Sequence, residues 1–319
     1  MCAYSGAVPG ACVLVLHEGV PVVRQAYGMA DLEREIASTS ASNYRLASVT
    51  KQFTSAAVLM LTEEGVLSLE APLREWLPSL PEAAGEVTVR HLLTHTSGLI
   101  DYEDLIPPGR TAQLHDADVL RLLKTEPRTY FAPGSAYRYS NGGYALLALI
   151  IEIVSGMSFA TFLRKRIFLP LGMRGTVAHQ QGVSTVNDRA YGYSSVDGAW
   201  KRTDQNLTSA VLGDGGVYSS IDDLAKWDAA LYDGRLLRPE SLRLAFTAAT
   251  ATDDPATRYG FGWRITGETV WHSGESVGFR NVIVRWPRRR LTLIVLTNRN
   301  EPEPYRVALA VAEIVSPRC

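Results

Sequence analysis

Two paired apolar runs, one near each end of the chain, limit how it can fold. Residues 11–16 and 21–28 read as strands joined by a turn at His17-Glu18-Gly19. Near the other end, Asn281–Trp286 and Leu291–Thr297 are rich in β-branched residues and are separated by Pro287 and three arginines, the pattern of a second hairpin. Strands at both ends with helical segments between them imply one antiparallel sheet completed by both ends. The expected class is therefore α/β in content (α+β in arrangement), with residues 1–66 and 210–319 forming the sheet region and a mostly helical lobe at 67–209. At 319 residues, 46% of them hydrophobic, the chain can bury a full core as one large domain or two closely packed ones.

Between the two ends the apolar period changes from two to 3.6. Apolar residues at 53, 56, 57, 60 and 61 make the stripe of a helix with one buried face, and Gly65 is placed to end it in a left-handed cap. Further helices are expected at 116–124, 143–155, 158–167 and 221–232, with a last one from Tyr305 to Val315. The stretch 98–115, containing Pro107-Pro108-Gly109, is long for a loop, and loops of that length commonly line functional clefts.

Charge and composition narrow the choice of partners. With 32 basic and 33 acidic residues the net charge is −1, which leaves no nucleic-acid footprint or polybasic membrane patch. Arg288-Arg289-Arg290 reads as an exposed turn between strands. Cys2, Cys12 and Cys319 are too few and too scattered for a disulfide framework or a zinc site, and point to a reducing compartment. The first residues lack a positive start and an apolar signal core, so the expected location is cytoplasmic, or else an export signal is missing from this sequence. No run approaches the ~20 apolar residues of a membrane span; Tyr144–Val154 is shorter, contains Glu152 and reads as a buried core helix.

Three short segments carry chemistry. Ser48 and Lys51 stand one helical turn apart at the start of the helix near Phe53. A serine hydroxyl is a weak nucleophile until a neighbouring base takes its proton, and an enclosed lysine can serve as that base. On its own such a serine is as readily an N-cap. Tyr139-Ser140-Asn141 precedes the apolar helix: a tyrosine can relay a proton to a leaving group, and an asparagine can bond both a lysine and a substrate carbonyl. The alternative is that Tyr139 only packs beside Tyr130, Tyr137 and Tyr144. The third segment, Trp271-His272-Ser273-Gly274, falls on a strand where a substrate backbone could lie alongside, with the N–H of Glu275 as an oxyanion donor beside that of Ser48. Alternatively, His272 is a core or surface histidine and Gly274 a strand end.

Their order, S-x-x-K, then Y-x-N, then H-S-G, resembles the penicillin-recognising serine hydrolases, a group that includes the S-x-x-K, S-D-N, K-T-G enzymes. It is most similar to the branch of class C β-lactamases, D-Ala-D-Ala carboxypeptidases, D-aminopeptidases and family VIII carboxylesterases. Arg45–Thr54, His91–Leu99 and Gly213–Ser220 followed by Asp223-Leu224 are further landmarks in the right order, so the likeness covers nearly the whole chain. The resemblance implies a β-lactamase/transpeptidase-like fold with its site between two lobes and an acyl-enzyme on Ser48. It further implies Lys51 and Tyr139 as a coupled acid–base pair, Asn141, His272, Ser273 and Gly274 as substrate-binding residues, and an oxyanion hole from the N–H groups of Ser48 and Glu275. No cofactor and no metal is implied. His272 stands where K-T-G members have lysine, which removes a permanent positive charge for a substrate carboxylate. Esters or small acyl compounds are the expected substrates, with a D-aminoacyl peptidase, carboxypeptidase or β-lactamase as alternatives and a catalytically silent peptide- or β-lactam-binding protein as the rival from another class.

Two other motifs compete for attention. Gly274-Glu275-Ser276-Val277-Gly278 matches G-x-S-x-G, but that nucleophile elbow needs a helix after the serine, and Phe279–Trp286 reads as a strand. His91 and His95 have the spacing of metal ligands without H-E-x-x-H or a third partner, and read as structural.

Overall fold

The computed structural model describes residues 2–315. Cys319 lies outside them. Its centre is an eight-stranded antiparallel sheet made of β1 (Ala11–His17), β2 (Val20–Tyr27), β3 (Thr250–Ala251), β4 (Thr257–Tyr259), β5 (Arg264–Thr266), β6 (Thr269–Ser276), β7 (Phe279–Trp286) and β8 (Leu291–Thr297). The spatial order is β3-β4-β5-β6-β7-β8-β1-β2. The N-terminal strand β1 is thus held between the C-terminal strand β8 and the edge strand β2, with Ala11 opposite Thr297 and His17 opposite Leu291.

Period-two alternation sends the side chains of the central strands to two different cores. Val13, Val15, Val282, Val284, Leu293 and Val295 face Ala308 and Ala312 of the C-terminal helix. Cys12, Leu14, Leu16, Ile283, Ile294 and Leu296 face the larger core beneath the helical lobe. Because both faces are covered, these strands read as continuous apolar runs rather than as alternating ones. β2 lies at the sheet edge, mostly exposed, and carries Pro21, which an edge strand tolerates.

Five helices organise the rest: α1 (Lys51–Glu63), α2 (Asp116–Leu123), α3 (Asn141–Ser155), α4 (Ile221–Asp233) and α5 (Pro304–Val315). Helix α1 is buried from Lys51 to Leu61, more than one face's worth, because α3 and other helical segments pack around it within the larger core. Gly65 follows it with φ 74°, as its position suggests. The segment expected to be helical over 158–167 is α-helical only at Phe159–Leu163 and continues as a π turn at Arg164–Phe168. The inserted region is less purely helical than expected. Tyr193–Val196 and Ala199–Arg202 form a hairpin whose turn, Asp197-Gly198, has positive φ at both residues, the geometry that an Asp-Gly pair favours.

A buried ion pair ties α4 to the sheet. Arg285 of β7, fully buried, donates from Nε to Asp228 of α4 at 2.6 Å, and the Thr292 hydroxyl of β8 donates to the same carboxylate at 2.9 Å. Among the described residues no single helix is long and apolar enough to cross a membrane; the Tyr144–Val154 run is the core of α3, most of it buried.

Candidate active site

Ser48 is presented by a strained turn. Tyr44-Arg45 pairs with Val217–Ser219, and Leu46 N donates to Val217 O at 2.8 Å, so the chain enters the site from a fixed strand. Ala47 then adopts φ 49°, a left-handed conformation that costs a non-glycine residue about 1–3 kcal/mol. Ala47–Thr50 forms a 3-10 turn that feeds α1 at Lys51. Ser48 therefore sits in this tight turn just before the α-helix rather than on its first turn. The 3-10 spacing brings residues three apart over one another, which places Lys51 directly against Ser48.

Lys51 is fully buried, and its Nζ has three oxygen partners: Ser48 Oγ at 3.1 Å, Asn141 Oδ1 at 2.8 Å and the main-chain oxygen of Asp214 at 3.0 Å. Those three acceptors match the three donors of an ammonium group. Nζ also lies 4.8 Å from the centre of the Tyr139 ring. The Tyr139 hydroxyl is buried and has no hydrogen-bond partner among the described residues. A hydroxyl left unpaired in this way is expensive unless something else, such as a substrate, completes it.

Asn141 opens α3, whose N-cap Ser140 accepts from Gly143 N at 3.2 Å. The long loop after Gly98 supplies its other partners. Asn141 N donates to Asp101 Oδ2 at 3.0 Å, and Asn141 Nδ2 donates to Glu103 Oε1 at 3.1 Å. Partial desolvation, with Asp101 close by, holds the Glu103 carboxyl above the usual glutamate range.

Strand β6 forms the opposite wall. A Cβ added at Gly274 would stand 2.0 Å from Leu46 O and 3.1 Å from Ser48 N, so only glycine lets β6 pass this close to the nucleophile. The two-residue turn Gly267-Glu268 joins β5 to β6 and makes Thr266 and Thr269 a paired couple. By strand alternation the amides of 271, 273 and 275 then point toward β5. β5 ends at Arg264, opposite Trp271, which leaves the amides of Ser273 and Glu275 on an open edge. Replacing Gly274 by alanine is expected to push β6 away from Ser48, to cost about 1–3 kcal/mol of stability as overpacking does, and to slow phosphonate labelling of Ser48 by ~100-fold through the displaced oxyanion donor. A thermal melt together with the labelling rate would check both effects.

His272 occupies a different place from the one expected. It is 1% exposed and lies behind the cleft. Its Nδ1 faces Ser273 O at 2.5 Å and must donate to it, so Nε2 accepts from the Tyr259 hydroxyl at 2.9 Å. Burial, reinforced by Arg264 and Lys51, holds its pKa well below the usual histidine range. Both nitrogens are thus engaged internally, and the neutral ring forms part of the aromatic wall. The alternation that buries Gly274 against Ser48 buries His272 as well, while Ser273 and Glu275 face outward. His95 packs 4.2 Å from the Tyr139 ring and accepts from Ser140 N at 3.1 Å. His91 Nδ1 accepts from Thr88 N at 3.2 Å, capping the short helix Val89–Leu93. Ser276 ends β6 and is followed by a turn and β7, so no elbow forms.

The space between these walls is about 250 Å³, lined among others by Ser48, Glu103, Asn141, Asp214 and Glu275. Arg45 also borders it but is only 4% exposed. Asp214 is buried, and desolvation, opposed mainly by Lys51, pushes its carboxyl up to about 7. Glu103 and Asp214 were not singled out by the motifs, although the long loop and the Gly213–Ser220 landmark contain them.

A family model described as Beta-lactamase matches residues 2–315. The chain is 33% identical over 319 residues to penicillin-binding protein 4* of Bacillus subtilis (strain 168), covering 94% of this chain and 70% of that protein. It is 30% identical over 305 residues to a D-aminopeptidase of Gluconobacter oxydans (strain 621H), covering 91% of this chain and 56% of that enzyme, so it spans little more than half its length. Among solved structures, the octameric penicillin-binding protein homologue from Pyrococcus abyssi superposes with a TM-score of 0.86 at 28% identity, over 97% of this chain and 74% of the other.

Proposed function

Because this chain belongs to the β-lactamase family of serine hydrolases, we propose that it hydrolyses amides and esters of small acyl groups bearing a free amine beside the carbonyl, with D-aminoacyl donors as the favoured class. The observation that carries this reading is Glu103, whose carboxylate is bonded to Asn141 in the wall of the Ser48 cleft. A substrate amide held by Asn141 would place a neighbouring ammonium against that carboxylate, a charge-assisted contact. The sequestered, neutral His272 points the same way, since it offers nothing to the terminal carboxylate that a carboxypeptidase or β-lactam substrate would bring. Similarity to a D-aminopeptidase supports the D configuration. The expectation of ester or small acyl substrates is thereby narrowed by the amine rather than replaced.

In this mechanism Ser48 Oγ attacks the carbonyl carbon as the Lys51–Tyr139 pair takes its proton. The oxyanion rests on the N–H groups of Ser48 and Glu275, and the unpartnered Tyr139 hydroxyl delivers a proton to the departing amine or alcohol. Lys51 and Tyr139 act as one coupled pair, so a single titration belongs to neither. The ammonium contact needs an ionised Glu103. Its carboxyl titrates above the ordinary glutamate range, so the KM for a free-amine substrate is expected to rise as pH falls through that raised value. The N-acetylated substrate should show no such rise.

The test compares D-alanine p-nitroanilide with its N-acetyl derivative in wild type and Glu103→Gln. Loss of a charged hydrogen bond predicts a fall of ~10- to 100-fold in kcat/KM for the free amine and little change for the acetylated compound. Equal effects on both substrates, or a wild type that prefers the acetylated one, would remove the basis of the substrate reading.

A further inference from the structure

Acylation as described uses Ser48, Lys51 and Tyr139, and leaves one buried carboxyl in the cleft without a task. Asp214 is 8% exposed and lines the cleft beside Ser48. Its main-chain oxygen accepts from Lys51, but no described residue gives its carboxylate a hydrogen bond or ion pair. Its carboxylate oxygens are not among the buried unpaired atoms, so the cleft is open to them.

The position of Asp214 is rigidly set. Its main-chain oxygen and Ser48 Oγ lie 3.0 and 3.1 Å from the same Lys51 nitrogen. The next residue, Gly215, would carry a Cβ only 3.6 Å from the Cα of Ala47. From beneath, Asp116 accepts from Leu212 N and Gly213 N, both at 3.0 Å, and so fixes the short turn Leu212–Gly215. The main chain of Asp214 is therefore held beside Ser48 on braced backbone, and the residue lines the same cleft.

We infer that Asp214 is the general base of deacylation. A water in the cleft gives a proton to Asp214 as its oxygen bonds to the acyl carbon. The bond from that carbon to Ser48 Oγ then breaks, and Oγ takes a proton from the Lys51–Tyr139 pair. The proton on Asp214 returns to the pair through the cleft water, leaving a carboxylic acid and free enzyme. A second base is useful here because the pair has already passed the serine proton to the leaving group, and with Asp214 taking the proton of water the pair has only to donate to Oγ. The charges facing Asp214 suit the task. Lys51 and Arg45 favour its ionised form, while burial, Asp116 and Glu103 oppose it, so it titrates near neutral pH, where a general base is most effective.

The inference requires an acyl-enzyme on Ser48 but not the free-amine reading, and the test uses p-nitrophenyl acetate, which has no amine. With this activated ester acylation is fast, so any slowing of deacylation accumulates the adduct. For Asp214→Asn, the burst of p-nitrophenol is expected at the wild-type rate. A steady state slowed by ~100-fold should follow, with kcat and KM falling together and an acetyl adduct on Ser48 visible by mass spectrometry. A steady state within about threefold of wild type would overturn the inference, since a lost general base costs far more. A slowed burst without adduct would also overturn it and make Asp214 an acylation or binding residue. Phosphonate labelling of Ser48, which needs the assembled site but no deacylation, checks the variant. If Asp214→Asn fails to label, Asp214→Ala, which removes the buried group, is read in the same way. Failure of both to label would make the residue structural and end the proposal.

Discussion

Alanine at position 48 is expected to reduce turnover by at least ~10⁴-fold, because residues that act as one unit lose nearly all of their joint effect when the nucleophile is removed. The expectation follows from the contacts of Lys51. Its Nζ is held by Asn141 and the main-chain oxygen of Asp214 as well as by Ser48, so the lysine keeps its place when the serine hydroxyl is gone. Stability should therefore change little while catalysis collapses, and Lys51→Ala combined with Ser48→Ala should cost scarcely more than Ser48→Ala alone. Steady-state assays on a p-nitrophenyl ester, paired with thermal melts, separate the two quantities. By contrast Ser276→Ala should keep its activity, and a Ser48→Ala enzyme that turned over at the wild-type rate would sink the acyl-enzyme assignment.

The second large effect concerns stability and lies far from the chemistry. Asp228→Ala is expected to destabilise the fold by about 3–5 kcal/mol, because it leaves the Arg285 charge buried and unpaired. Arg285 is fully buried, its two Nη atoms have no hydrogen-bond partner among the described residues, and its guanidinium lies 4.5 Å from the Tyr232 ring. Asp228 is thus the only carboxylate within ion-pair distance of it among the described residues. A lowering of the melting midpoint on the order of 10 °C would accompany such a loss. Replacing both partners by apolar residues of similar volume, Asp228→Leu with Arg285→Met, should recover most of it, since a buried pair is roughly balanced against its own desolvation. A double variant as unstable as Asp228→Ala would mean that the pair contributes through its geometry and not through the cancelled charge.

What could be read before the structure was known depended on whether a signal was local. The two terminal hairpins and the helix after Ser48 were legible because alternation and the 3.6-residue stripe are written within a few residues. The quartet Ser48, Lys51, Tyr139 and Asn141 was legible as an ordered set of motifs, and the first contacts of Lys51 agree with it. The internal contacts of His272 were not legible, because a motif gives a position along the strand but not the face. The same alternation that requires Gly274 to face Ser48 turns the imidazole inward toward Tyr259. Glu103 was invisible for another reason: in sequence it is one acidic residue of four neighbours, Asp101-Tyr102-Glu103-Asp104, and only the fold brings it to Asn141. The Asp197-Gly198 hairpin was a local signal left unread inside a region taken to be helical. The 3-10 turn at Ser48 could not be told from a helix start, since three-residue and four-residue spacing both place Lys51 on the serine's side.

The seat of β1 between β8 and β2 has a consequence for the chain while it is being made. Ala11 pairs with Thr297, so β1 is made long before its central neighbour. Until residue 297 has emerged, the apolar faces of β1 have only β2 beside them, and a lone hairpin is marginal in water. The oxyanion wall on β6 is likewise made late, more than 200 residues after Ser48 in the order of synthesis. Such non-local pairing makes for slow assembly and long exposure of sticky strands. The sheet is complete, and the cleft has both its walls, only when segments more than 200 residues apart have met.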